Sequence, residues 1–302
     1  MKLYLIGNGF DCYLHGMPTQ YYNFRSYIVS KFPGCEEYSD LVPSGIMMPK
    51  GDIRYDEEEV AGYIVSIIDS CGDSSWASLE EYLGEDIFNE FDWNLQDVNL
   101  EEEKFNHAVY NNEYISNDIL YSFRELKSLF QQWVDEELAE MEYHSNGKAE
   151  SVIDDGLFFT FNYTRTLEEA YGIPPEFVCH IHGVIGSDVV LGHGDDGEIE
   201  ENFFSWGSEQ SFSELKRYLR KDTKQAISSH SEFFEKLGKV NQIFSYGFSF
   251  ATVDMVYIDE ICKHIDPENT VWWFNTYTWE NEQELVDKIR QYGFIVKHEK
   301  RW

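Results

Sequence analysis

The chain opens with the stretch KLYLIGNGFD, from Lys2 to Asp11, in which an apolar run ends in two glycines around an asparagine. Residues 3–6 predict a buried strand, because a short apolar run closed by glycine is typical of a strand covered on both faces. Gly7 and Gly9 permit a sharp turn and let the backbone approach another group closely. That group is either a phosphate or a neighbouring segment of the protein.

Composition limits the class of protein. The chain has 302 residues, of which 42% are hydrophobic, enough for one large domain or two smaller ones. The net charge of -33 argues against nucleic acid or an anionic membrane as the main partner. The sequence starts without a signal-peptide pattern and has no apolar run near the ~20 residues of a membrane span, which predicts a cytoplasmic protein. The five cysteines include no C-x-x-C pair, which disfavours a disulfide framework and a paired-cysteine zinc site.

The two parts of the chain differ in pattern. Residues 35–150 are acidic and predict helices and loops, whereas the second half alternates short apolar runs with helical patterns, which is typical of a mainly parallel sheet covered on both sides. We therefore predict an α/β domain from residues 1–34 and 151–302, with 35–150 as a helical insertion after the first βα unit. The predicted strands of the second half are LFFTF (157–161), FVCHIHGVI (177–185), VVLGH (189–193), VNQIFSY (240–246), VWWFN (271–275) and FIVKH (294–298).

Ligands of open parallel sheets bind beyond the carboxyl ends of the strands, so the informative residues are those that follow strands. After the first strand, the backbone amides of residues 7–10 would cradle a phosphate at a helix N-terminus, or the segment is only a tight turn. Cys12 occupies the third glycine position of the dinucleotide fingerprint. Thr19 is the predicted N-cap of the first long helix. After the strand 157–161, the Asn162 amide either contacts a ribose hydroxyl or water, or caps the next helix.

A cluster of histidines follows the next predicted strand. His180 and His182 are two residues apart and are expected to face the same side of that strand. With His193, and with Asp195, they would form a metal site. Alternatively, His182 alone acts as a general base near neutral pH, or the histidines are structural.

The last stretch of interest is YGFSFATVD, which begins where the predicted strand 240–246 ends. Asp254 is expected to open the following helix near its N-terminus. Ser249 is placed either to cap that helix or to contact a ligand. The alternative is an ordinary strand–helix loop without a ligand.

In their order and spacing these stretches resemble the AbiH family of bacterial abortive-infection proteins, which act against bacteriophage. The resemblance extends from the first strand to about residue 265. The matching stretches are LIGNGFD, GMPTQYYNF, WASLEEYL, FNYTRTLEEAY, HIHG, LGHG and YGFSFATVD.

That family is in turn remotely similar to the sirtuin-like NAD-binding fold. This similarity implies a Rossmann-like domain in which NAD is bound as substrate or ligand. The residues that it places around NAD are Gly7, Asn8, Gly9 and Phe10 at the pyrophosphate, with Tyr246, Gly247, Ser249 and Asp254 after the later strand, the last two on the adenosine side.

The resemblance also implies cleavage of NAD at the nicotinamide–ribose bond. Asn162 would orient a water or the ribose, His182 would accept a proton, and Asp11 would supply a carboxylate. Thr164 departs from the pattern, since many sirtuin-like defence domains have aspartate there. Protein deacylation is disfavoured because the paired cysteines of sirtuin zinc domains are missing.

Two alternatives remain. One is a module that senses a nucleotide or phage product and signals through the insertion, and the other is the histidine-based metal hydrolase. A phage-derived trigger protein and a second copy of the chain are candidate partners.

Overall fold

The computed structural model describes residues 1–39, 41–71, 76–96, 98, 105–194 and 206–302. The chain forms two compact units. The first, which we call the sheet unit, comprises Met1–Thr19, Val134–Val190 and Asp222–Trp302, and the second, the helical unit, comprises Gln20–Trp133 and Leu191–Lys221. The domain boundaries expected at residues 34 and 150 stay a prediction.

The secondary structure is mixed, with helices in both units. The strands are β1 (Lys2–Ile6), β2 (Ile46–Met47), β3 (Ile53–Arg54), β4 (Gly156–Thr160), β5 (Val178–His180), β6 (Gln242–Tyr246), β7 (Val271–Phe274) and β8 (Ile295–His298). The α-helices are α1 (Tyr21–Lys31), α2 (Glu57–Ser70), α3 (Trp76–Tyr82), α4 (Glu85–Phe91), α5 (Phe105–Trp133), α6 (Gly147–Glu150), α7 (Thr166–Tyr171), α8 (Glu209–Leu219), α9 (Thr223–Ser229), α10 (Ser231–Glu235), α11 (Met255–His264), α12 (Thr276–Asn281) and α13 (Gln283–Gln291).

A six-stranded sheet with the order β5-β4-β1-β6-β7-β8 forms the centre of the sheet unit. Every neighbouring pair is parallel. The chain adds β4 and β5 on one side of β1 and then returns to add β6 on the other side. This reversal is the topological switch point of a Rossmann-like fold, where ligands bind beyond the carboxyl ends of the strands. The predicted α/β fold with a parallel sheet is confirmed.

Both faces of this sheet are covered, which explains the continuous apolar run of β1. Leu3 and Leu5 are fully buried in a core on one face, with side chains from α10, α11 and α13. Tyr4 and Ile6 are fully buried in a second core on the opposite face, with side chains from α6 and α7. We call these the first and the second face. Successive side chains of a strand point to opposite faces, so β1 can be apolar throughout only if both faces are buried.

The helical unit is organised around α2, which packs against α1 and α5. The side chain of Asp56 caps α2 by accepting hydrogen bonds from the amides of Glu58 and Glu59. Lys221 and Glu80 form a buried ion pair of 2.7 Å within this unit. No helix of the described ranges combines the length and the apolar character that a bilayer crossing requires.

Three local predictions are wrong. Residues 35–150 are predicted to form only helices and loops, but they include β2 and β3, which pair as a short antiparallel hairpin. Residues 189–193 do not form a strand; instead His193 makes an isolated bridge to Arg220, and Gly192 has φ +152. The N-cap of α1 is Gln20 rather than Thr19, because Gln20 and Asn23 form a reciprocal capping box.

Candidate functional site

The two glycines of the first turn allow two loops to touch backbone to backbone. The amide of Gly7 donates to the carbonyl of Tyr246 over 3.0 Å, and the amide of Gly9 donates to Gly247 over 3.1 Å. A Cβ on Gly9 would lie only 2.6 Å from the Cα of Gly247. The Phe10 amide donates to the Gly7 carbonyl. Three of the amides predicted to cradle a phosphate therefore already donate to carbonyls of the protein.

The loop after β6 is held in a strained conformation. Phe250 is 3% exposed and has φ +55, a left-handed conformation that is unusual for a bulky residue and costs free energy. Phe248 anchors the loop by stacking on Phe161 at 4.3 Å between ring centroids. Ser249 between them is exposed, while Asn8 on the facing turn is half-buried. Strain of this kind persists only where the surrounding structure fixes it, and it is common in loops that form binding sites.

A buried histidine–aspartate pair lies at the carboxyl edge of the sheet. His182 Nε2 is 3.3 Å from Asp254 Oδ1, and the side chains are only 5% and 8% exposed. Asp254 directly precedes α11 but makes no side-chain capping bond there. The ring of His182 also meets the rings of Phe161 and Tyr257, at 5.3 and 5.7 Å between centroids. A carboxylate beside an imidazole fixes the orientation of the ring and stabilises its protonated form.

Asn162 follows β4 at the level where His182 follows β5. Thr160 is paired with His180 across the two strands, and Asn162 and His182 each come two residues later. The backbone amide of Asn162 donates to Thr160 Oγ1 over 3.1 Å. Its side-chain Oδ1 is buried without a hydrogen-bond partner in the described structure. Because α7 begins at Thr166, Asn162 does not cap this helix.

Asp11 is fully buried. Its carboxylate accepts hydrogen bonds from Thr164 Oγ1 over 2.5 Å and from Thr166 Oγ1 over 2.8 Å. Burial raises the pKa of Asp11, while the two hydroxyls and the nearby His15 and His180 act in the opposite direction. Thr164, the departure from the sirtuin-like pattern, is thus a hydrogen-bond donor to this carboxylate.

Asp11→Asn is expected to stabilise the protein at pH 7. A carboxyl whose pKa is raised in the folded state favours folding below its unfolded pKa of about 3.9, and this contribution is lost as the pH rises through the folded pKa. The asparagine amide does not ionise and so removes this loss, and we therefore expect the free energy of unfolding at pH 7 to increase. Urea unfolding of the variant and the wild type at pH 7 and pH 4 measures this increase in the free energy of unfolding, which should be smaller at pH 4. The exposed Asp155→Asn is the control. A variant less stable at pH 7 would contradict this account.

The histidines do not share one environment. His180 Nε2 contacts Glu168 of α7, which packs on the second face, whereas His182 contacts Tyr257 of α11 on the first face. The expectation that they face the same side is wrong, because β5 ends at His180 and the chain turns there. His193 Nε2 bonds to the carbonyl of Lys216 within the helical unit.

The metal-site alternative finds no support in these contacts. Among the residues that the structure describes, no group of three or more His, Cys, Asp or Glu side chains could hold a metal ion. Asp195, the fourth ligand considered, lies outside the described residues.

The fold defines a Rossmann-like α/β protein in which Asn162, His182 and Asp254 come after the carboxyl ends of parallel strands. A family model described as "Bacteriophage abortive infection AbiH" matches residues 3–276, so the chain belongs to the AbiH family, whose role is abortive-infection defence against phage. Comparison with curated proteins and with solved structures gave no match.

Proposed function

We propose that this protein hydrolyses NAD at the nicotinamide–ribose bond and thereby depletes the cofactor of an infected cell. The observation that carries the proposal is the buried His182–Asp254 pair, 3.3 Å apart, at the carboxyl edge of the sheet where Asn162 also lies. The family supplies the role in defence, and the resemblance to sirtuin-like domains suggests the substrate.

The reaction needs a base and a site that stabilises positive charge. When the bond breaks, nicotinamide leaves as a neutral ring and the ribose carbon develops the positive charge of an oxocarbenium ion. Water then adds to that carbon, and its proton passes to His182, which acts as general base. The Asp254 carboxylate stabilises the imidazolium that results. The products are ADP-ribose, nicotinamide and one proton.

Asn162 is the proposed contact to the ribose of NAD. A buried acceptor without a partner costs about 1–3 kcal/mol, and a ribose hydroxyl is a donor that would recover this cost. Its backbone is held by hydrogen bonds at the amide and at the carbonyl, so the side chain would meet the ribose without further ordering.

The rest of the dinucleotide is assigned to the two loops that touch each other. Because the amides of Gly7, Gly9 and Phe10 are occupied, the pyrophosphate would contact the half-buried Asn8 side chain instead. The exposed Ser249 would contact the adenosine half. Tyr246 and Gly247 would shape the loop between these contacts.

The test is NAD turnover by the purified protein, with nicotinamide and ADP-ribose measured by NMR. We expect Asn162→Ala to lower kcat by about 10²- to 10³-fold, as loss of one preorganised polar contact does. Asn281→Ala is the matched control, because the exposed Asn281 side chain donates to the carbonyl of Tyr277 within α12.

The assay is repeated in cells during phage challenge, because an enzyme that destroyed NAD constantly would harm its host and must be held inactive. NAD that is neither consumed nor bound in either setting would refute the proposal. NAD that is bound but returned intact would identify a sensor.

A further inference from the structure

Both ring nitrogens of His180 meet hydrogen-bond acceptors. Nδ1 lies 3.0 Å from the carbonyl oxygen of Asn162, and Nε2 lies 2.9 Å from Glu168 Oε1. A carbonyl can only accept, so Nδ1 carries a proton. A carboxylate also only accepts, so a hydrogen bond to Glu168 needs a proton on Nε2 as well. Both contacts are hydrogen bonds only if both ring nitrogens carry protons, as they do in imidazolium.

The ring of His180 lies in a mostly buried environment beside acidic side chains. The side chains of His180 and Glu168 are 11% and 12% exposed, so their attraction is poorly screened by solvent. The second oxygen of Glu168 is buried without a hydrogen-bond partner in the described structure, which makes His180 the donor on which this carboxylate depends. Asp11, on the segment after β1, also lies near enough to interact with His180.

We propose that His180 is a positioning residue whose imidazolium ring ties the carbonyl of Asn162 to the carboxylate of Glu168 and so holds the Asn162 side chain in the site. The inference rests on the proposed function for its effect on turnover. Glu168 belongs to α7 and Asn162 follows β4, so the ring joins a helix to the segment after the strand. His180 itself does not contact the substrate in this assignment.

The first experiment is independent of activity. In ¹⁵N-labelled protein at pH 7, ring NMR of His180 is expected to show protons on both nitrogens, and Glu168→Gln is expected to leave a proton on Nδ1 only. A neutral wild-type ring, or an Nδ1 without a proton, would overturn the proposal. This result stands whether or not NAD is the substrate.

The second experiment separates positioning from general stability. The side-chain nitrogen of glutamine reaches the place of Nε2, whereas that of asparagine reaches the place of Nδ1. His180→Gln should therefore release the Asn162 carbonyl and lower kcat about 10²-fold with a smaller change in KM, as small misplacements do. His180→Asn should recover most of this loss. In an Asn162→Ala background, His180→Gln should have no further effect on kcat.

The matched control is His264→Gln, because His264 Nε2 faces Glu260 Oε1 at 3.2 Å on α11, away from the strand ends. It should leave kcat unchanged. Equal kcat in His180→Gln, His180→Asn and the wild type would overturn the positioning role. If the wild type neither binds nor consumes NAD, the proposed function fails. The NMR spectrum of the His180 ring then still tests whether the ring donates to both the Asn162 carbonyl and the Glu168 carboxylate.

Discussion

Replacing His182 with alanine is expected to lower kcat for NAD hydrolysis by about 10²- to 10⁴-fold, which is the usual contribution of a general base. Asp254→Asn is expected to cost a comparable factor, because an amide favours the wrong tautomer of the ring and cannot stabilise imidazolium. Initial rates of nicotinamide release from the purified variants measure both effects.

The two losses should not add. If Asp254 acts only through His182, the double variant should be no slower than His182→Ala. His144→Ala serves as the control, since the His144 side chain is 81% exposed and lies in the same unit. Circular dichroism establishes that each variant is folded. Full turnover by a folded Asp254→Asn variant would remove the pair from the mechanism.

Most of the sheet could be predicted from the sequence because its strands are short apolar runs bounded by glycine or by polar residues. Five runs of the second half overlap β4 to β8, and the opening run overlaps β1. VVLGH has the same composition but does not join the sheet. His193 pairs instead with the backbone around Arg220, which comes later in the chain, and a local pattern carries no information about such a partner.

The site could be predicted in part for a similar reason. Parallel strands place their carboxyl ends at one edge, so residues that follow strands, such as Asn162 and His182, could be selected without knowing the strand order. The contact between Asp254 and His182 depends on the order of β4, β1 and β6, which the sequence does not state. The sequence therefore does not connect Asp254 with His182. Glu168 gives no signal either, because a glutamate in a short helix is usually solvated.

The sequence also does not identify the group that Gly7 and Gly9 allow to come close. A glycine pair after a strand indicates a close approach but not what approaches. The structure shows that the Gly9 amide donates to the Gly247 carbonyl and that the two backbones leave no room for a Cβ. The turn is thus a contact between the loops after β1 and β6, at the switch point of the sheet.

This contact predicts that Gly247→Ala strongly destabilises the sheet unit. Gly247 has φ +65, a conformation that costs other residues about 1–2 kcal/mol. The Cβ of the new alanine would also lie 2.5 Å from the Cα of Gly9. Because the Cα of Gly9 is a backbone atom and a Cβ has a fixed position, no side-chain rotation relieves this overlap. Overpacking of this kind adds about 1–3 kcal/mol. We expect a total loss of about 3 kcal/mol in the free energy of unfolding, measured by urea denaturation.

Gly172→Ala separates the two contributions. Gly172 also has φ +65, but nothing lies within 4 Å of the Cβ it would gain, so only the conformational cost of about 1–2 kcal/mol applies. The difference between the two variants is the free energy of the close approach. Gly7→Ala provides the complementary case, because its Cβ would lie 2.6 Å from the Cα of Phe248 at a glycine without positive φ. Equal stability of Gly247→Ala and Gly172→Ala would mean that the loops after β1 and β6 can separate without a cost in free energy. The contact between these loops would then not fix the position of the candidate site.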